Sequence, residues 1–103
     1  MSLLSARQKE ILRRLGSGQQ VLLPADFSTS PDRLTRVVAF QTIVADVDVL
    51  YREGTISWPE KEMETVESGF FVVELYIDGL TPFGKDVVAI YGTQESPFRV
   101  FSY

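Results

Sequence analysis

The sequence predicts a small α+β domain, with three to four helices and a two- to three-stranded antiparallel hairpin or sheet. Three observations carry this expectation. A length of 103 residues leaves room for one hydrophobic core. Two stretches repeat apolar residues at helical spacing behind helix-start residues, and a third, residues 70–78, alternates with the period of a strand. The composition agrees, since 45% hydrophobic and 23% charged residues are ordinary for a folded chain and unlike charge-rich disorder. The expected unit is a single domain over 1–103, with 5–91 as its body and 93–103 as an apolar C-terminal segment.

The first helix opens at Ser5, an N-cap candidate with Gln8 three residues on, the pair that satisfies two orphan backbone donors reciprocally. Over residues 6–15, Gln8, Ile11, Leu12 and Leu15 share one side and Lys9 and Arg13 the other, while Glu10 is spaced to pair with Arg14. Gly16 and Gly18 end it. Residues 20–23 form a short apolar run stopped by Pro24, which fits a short strand or the approach to a turn.

A long helix is predicted over 31–53, with Ser30 as N-cap, Pro31 at its first position and Asp32 in its first turn. Its length would be about 35 Å at ~1.5 Å per residue. At ~100° per residue, the early apolar positions (Leu34, Val37, Val38) and the later ones (Phe40, Ile43, Val44, Val47, Leu50, Tyr51) differ by roughly a third of a turn. The two ends of the rod should therefore face different partners. Val47-Asp48-Val49 also alternates as a strand would, but no turn residue interrupts Leu34 to Glu53, which favours the helix. Asp46 and Asp48, two apart, should lie on different sides and form no paired site.

After Gly54, residues 55–58 and 70–78 read as a hairpin, with the polar segment 59–68 as its long connection. That segment holds Glu60, Glu62, Glu64 and Glu67 against Lys61 alone. Phe71, Val73, Leu75 and Ile77 alternate with Phe70, Val72, Glu74, Tyr76 and Asp78. Trp58, Phe70 and Tyr76 are read as packing residues. Thr81 then caps a helix with Pro82 at its first position, burying Phe83, Val87 and Ile90 or Tyr91 before Gly92.

The chain contains no His and no Cys, which removes thiolate and imidazole metal ligands and the Ser-His-Asp and Cys-His nucleophile pairs. No cofactor and no catalytic set is expected, and Gly16-Ser17-Gly18 lacks the Gly-Lys-Ser/Thr of a phosphate loop. No apolar run is long enough to cross a membrane, so no membrane partner is expected and the chain is read as cytoplasmic. Charge is polarised: residues 1–52 carry seven basic and five acidic side chains, residues 53–103 three and nine.

The order of elements, with Leu50-Tyr51-Arg52-Glu53-Gly54-Thr55-Ile56 closing the long helix and Leu80-Thr81-Pro82-Phe83-Gly84 opening the last one, resembles the winged-helix fold. It is similar to small regulators of the MarR and PadR type, which often read L-x-x-x-G-x-I at the end of the recognition helix and L-T-x-x-G after the wing. The resemblance spans residues 5–91. It implies a transcription regulator that binds double-stranded DNA, with the long helix in the major groove and the hairpin beside the backbone. Carried onto this sequence, Ser30, Arg33, Thr35 and Arg36 would lead the recognition helix, and Lys9 and Arg13 would add phosphate contacts.

Two departures from the pattern support another expectation. The wing is Glu-rich where a DNA-contacting wing carries Arg or Lys, and a carboxylate beside phosphate repels. Between the short apolar run and the long helix there is room for little more than a turn in place of a separate helix. The alternative is a winged-helix module for protein–protein interaction that presents Glu60, Glu62, Glu64 and Glu67 to a basic partner and binds no DNA. With the DNA-binding reading a homodimer is expected through the apolar tail and the terminal helix, with Phe98, Val100 and Phe101 as contacts; the alternative for the tail is a return to the body as an edge strand.

Overall fold

The computed structural model describes residues 4–90. Among them are three helices and a three-stranded antiparallel sheet, a small α+β domain compatible with a winged-helix-like arrangement. The order is α1 (Ala6–Gly16), β1 (Val21–Leu22), a 3₁₀ turn (Pro24–Asp26), α2 (Arg33–Arg52), β2 (Pro59–Val66), β3 (Gly69–Ile77) and α3 over residues 82–90. Tyr91, the glycine after it and the apolar tail, with its expected contacts Phe98, Val100 and Phe101, lie outside the described residues.

α1 begins as its sequence predicts. The Gln8 amide donates to Ser5 Oγ at 3.1 Å, and the Ser5 amide donates to Gln8 Oε1 at 2.9 Å. Ile11, Leu12 and Leu15 are buried, and Arg14 Nε reaches Glu10 Oε2 at 2.8 Å. Arg14 does more than its spacing announces. Its guanidinium donates to Gln19 Oε1 and to the Asp26 carbonyl at 3.2 and 3.1 Å, and lies 5.2 Å from the centre of the Phe27 ring. The same side chain thus fastens the short 3₁₀ turn that stands in place of a full helix.

α2 is one rod of 20 residues, about 30 Å long at ~1.5 Å per residue. Its N-cap is Asp32 rather than Ser30: Asp32 Oδ2 accepts from the Thr35 amide at 2.9 Å and from the Thr35 hydroxyl at 2.6 Å. Pro31 thus falls before the cap. Leu34 and Val37 pack with Val66, Phe71 and Val73 in a small cluster, whereas Phe40, Ile43, Val44, Val47 and Leu50 join the main core with α1, Leu22, Ile56, Val72, Leu75 and Ile77. The offset between the two apolar faces therefore has its counterpart in two partners. Val38 and Tyr51, assigned to those faces from spacing, are exposed.

The sheet order is β1-β3-β2. β2 corrects the sequence reading, because residues 59–66 form a strand where a connection was expected, and the true turn is only Glu67 and Ser68. Six of its eight side chains are exposed, so no alternation announces the strand. The expected first strand over 55–58 contributes one bridge, Ile56 to Leu80. Along β3 the register steps from Glu62 opposite Glu74 to Met63 opposite Val72, leaving Val73 as the extra residue of a bulge. Val72 and Val73 are consequently both buried, and the strict alternation expected there is broken.

Beyond the two residues paired with β1, the outer edge of β3 is met by a side chain. The Gln41 amide nitrogen donates to the Val72 carbonyl at 2.8 Å, and Gln41 Oε1 accepts from the Val72 amide at 3.2 Å. The side chain imitates one residue of a neighbouring strand at the bulge.

The two motifs quoted for the resemblance touch each other. Gly54, at φ +82°, turns the chain out of α2, and the Thr55 amide and hydroxyl both donate to the Leu50 carbonyl, at 3.1 and 2.9 Å. The Thr81 amide donates to the Thr55 carbonyl at 3.1 Å, and Thr81 Oγ1 accepts from the Gly84 amide at 3.0 Å to cap α3. A Cβ on Gly84 would stand 1.9 Å from the Thr55 oxygen, so glycine is required by a backbone–backbone contact. α3 rests on the core through Val87 and Val88, while Phe83 and Ile90, expected inside, are exposed because Gly84 takes the inward position.

Two outcomes follow from this packing. Gly84→Ala should lose at least the ~1–3 kcal/mol of an overpacked site in urea unfolding, whereas Gly79→Ala, with open space around its Cβ, should stay within ~0.5 kcal/mol. Gln41→Leu should cost about 1–3 kcal/mol and speed amide exchange at Val72, because two backbone groups lose their partner.

Candidate functional site

The residues assigned to DNA by the resemblance differ in exposure and in the partners they hold. Arg33 is exposed and donates through Nη2 to Glu64 Oε1 on β2 at 3.1 Å. Arg36 is half-buried and donates to the Ser30 carbonyl at 2.9 Å, while Ser30 Oγ accepts from the Asp32 amide at 3.3 Å. Thr35 is spent on the cap. On α1, Arg13 Nε reaches Glu10 Oε1 at 3.2 Å, and Lys9 is half-buried. Burial raises the Glu10 pKa, but hydrogen bonds and charge from Arg13 and Arg14 outweigh it and hold the carboxyl below its ordinary value.

What the structure does bring together are the two residue sets that served opposite readings of the sequence. Arg33 and Arg36 line a cleft of about 270 Å³ with Glu62, Glu64 and Glu74. Glu62 and Glu74 are direct cross-strand neighbours, an arrangement that is unfavourable for like charges. Arg33 and Arg36 bring positive charge to the same cleft. Because Arg33 and Glu64 are each more than half exposed, their pair contributes at most about 1 kcal/mol. Its larger effect is on charge, since it places a carboxylate against the most exposed cation at the start of α2.

The outward stripe of α2 is the surface that a groove-reading helix would present. Thr35, Val38, Ala39, Thr42 and Ala45 are exposed there at i, i+3, i+4, i+7 and i+10, and the stripe holds no ionisable side chain. Asp46 and Asp48 point apart, as their spacing requires: Asp46 accepts from Arg7 Nε on α1 at 2.7 Å, and Asp48 pairs with Lys61 Nζ on β2 at 3.1 Å.

On the hairpin, Glu60, Glu62 and Glu64 share one face by strand alternation, with Glu67 in the turn at φ +58°. Trp58 and Phe70 are about two-thirds exposed and Tyr76 is 38% exposed, so none of the three is a core residue, although Phe70 and Tyr76 lie on the hairpin strand. Sequence reasoning missed a second feature, where Tyr51 and Trp58 meet edge to face with centroids 5.1 Å apart, beside Asp48, Glu60 and Lys61. No periodic signal marks it, since its members come from a helix end, a loop and a strand. Among the described residues no group of three or more His, Cys, Asp or Glu is placed to hold a metal ion, and no helix is long and apolar enough to cross a membrane.

Comparison with protein-family models, with curated proteins and with solved structures finds no match to this chain.

Acid should loosen the start of α2. The Asp32 carboxyl is held below its ordinary value of 3.8, first by the Thr35 hydroxyl and next by the Thr35 amide. A carboxylate with a depressed folded-state pKa contributes stability above the unfolded-state value and loses it as pH falls through the folded-state one. Between pH ~5 and ~2 the urea midpoint should fall for the native chain and fall less for Asp32→Ala, which should already be less stable at neutral pH. Parallel curves for the two would dismiss the cap.

Proposed function

We propose that this protein is a winged-helix-like interaction module whose acidic hairpin docks against a basic partner protein. The observation that carries the reading is the charge at the face that would otherwise read DNA. From Thr35 to Ala45 the exposed stripe of α2 holds no cation, and Arg33, at its head, is bound to a hairpin carboxylate. A duplex would have to draw Arg33 away from Glu64 and approach Glu60, Glu62 and Glu67 without the counterion release that drives nucleic-acid binding.

A partner with clustered cations meets the opposite situation. The carboxylates of the hairpin stand along one side of a ribbon whose rise is ~3.4 Å per residue, giving a charged row about 14 Å long from Glu60 to Glu64. Such a row speeds encounter and selects partners by sign more than it adds affinity, so binding should weaken with salt.

Octa-arginine and a random-sequence 20-bp duplex, each labelled and titrated with the full chain, separate the readings. At ~0.15 M salt the peptide should bind, and Glu62→Gln combined with Glu64→Gln should weaken it severalfold, while the duplex should show no retention. Duplex binding at that salt, abolished by Arg33→Ala with Arg36→Ala, would overturn the proposal and restore the DNA-binding expectation.

A further inference from the structure

The corner between the end of α2 and the start of β2 is lined by two aromatic rings that the core does not use. Tyr51 leaves the last turn of α2, and Trp58 precedes the first residue of β2; their planes stand at 87°. They are 39% and 66% exposed. Trp58 is the only tryptophan of the chain, and burying such a ring is among the larger apolar gains open to a small domain. Here Pro59, its neighbour, is buried opposite Ile77 instead, which leaves the indole at the mouth of a cleft of about 340 Å³.

The rim of this cleft is charged. Asp48, Glu60 and Lys61 line it, and the Lys61 ammonium lies 3.1 Å from Asp48, so the carboxylates outnumber the cation by one. Aromatic faces attract cations through the ring quadrupole, and carboxylates attract them directly. The walls of the cleft are mostly apolar and its charges stand at the rim, so an anion would meet surplus negative charge there and a wholly apolar group would leave Glu60 without a counter-charge. A guanidinium suits both parts, because it stacks flat on a ring and offers a planar fork of donors to a carboxylate.

We propose that the Tyr51–Trp58 cleft receives an arginine side chain of the partner protein. This rests on the reading of the hairpin as a surface for a basic partner: Glu60 belongs to both features, so a cationic segment lying along the ribbon passes the cleft at its base. Lys61 is the built-in competitor. Its ammonium neutralises Asp48 in the absence of a partner, and an incoming guanidinium takes over that carboxylate or sits beside it against Glu60.

Trp58 is its own reporter. The full chain is titrated with octa-arginine, with octa-lysine and with the tripeptide acetyl-Gly-Arg-Gly-amide against its Gln counterpart, following Trp58 fluorescence, while anisotropy of labelled octa-arginine reports total binding. The expected result is a saturable Trp58 change with both arginine peptides and none with the Gln peptide. Tyr51→Ala should weaken octa-arginine binding about two- to fivefold, the range of an exposed cation–π contact. Tyr51→Phe, which keeps the ring, should restore it, and Lys61→Ala should tighten it.

Octa-arginine that binds with sensitivity to Glu62 and Glu64, yet leaves Trp58 silent and ignores Tyr51→Ala, overturns the cleft and leaves the hairpin reading standing. A tripeptide response without any effect of Glu62→Gln and Glu64→Gln on octa-arginine keeps the cleft and removes the hairpin. An equal response to octa-lysine overturns the assignment to guanidinium, and absence of all binding overturns both proposals.

Discussion

The backbone contact between Gly84 and Thr55 is the constraint on which the rest of this domain depends. At that point the loop leaving α2 and the first turn of α3 approach so closely that no side-chain atom fits between them. Side chains adjust by changing rotamer, but two backbones in contact have no such freedom, so the geometry is set to within a fraction of an ångström. Around it, Leu50, Ile56 and Leu80 close the end of the core, Thr55 donates to the Leu50 carbonyl that the end of α2 leaves open, and Thr81 donates to the Gly54 and Thr55 carbonyls of the loop that follows. The angle between the long helix and the hairpin is fixed here. So is the seat of the last helix.

This contact also explains why two short motifs some thirty residues apart accompany one another. Each is one half of a single joint: the glycine after α2 turns the chain, the threonine offers its carbonyl, the second threonine accepts the role of cap, and the second glycine makes room. The joint is legible in the sequence as turn chemistry on each side, because both halves use residues with strong local preferences. The meeting of the halves is not legible, since it is a tertiary fact. The same division holds elsewhere. The Ser5–Gln8 box and the two-faced rod follow from spacing, which local physics enforces. The cap of α2 shifted to Asp32 because a carboxylate held by both the amide and the hydroxyl of Thr35 competes better than the serine two residues earlier. β2 was hidden because hydrophobic alternation reports burial, and this strand has little of it.

The candidate surfaces were legible in part. Composition shows that the hairpin is acidic and that Arg33 and Arg36 lie near the start of a helix, but only the fold shows that these charges face one another. Once they do, the exposed arginine at the start of α2 is paired with the second half of the chain, and the outward stripe of α2 from Thr35 to Ala45 is left with methyl and hydroxyl groups. The aromatic corner is of another kind. Tyr51 and Trp58 are joined by the turn at Gly54, and neither residue has a neighbour in sequence that announces the other.

Among the described residues β2 also stands at the margin of the sheet, with no strand beyond it along its eight residues, longer than many strands in domains of this size. An unsatisfied row of amides and carbonyls invites the same row from another copy, and the outcome of such mutual recruitment is a growing ribbon. Glu60, Lys61, Glu62 and Glu64 oppose it, because stacking one copy upon another would bring like charges into register. The hairpin's carboxylates thus have a consequence apart from the proposed docking: they place repulsive charge along an open margin of sheet.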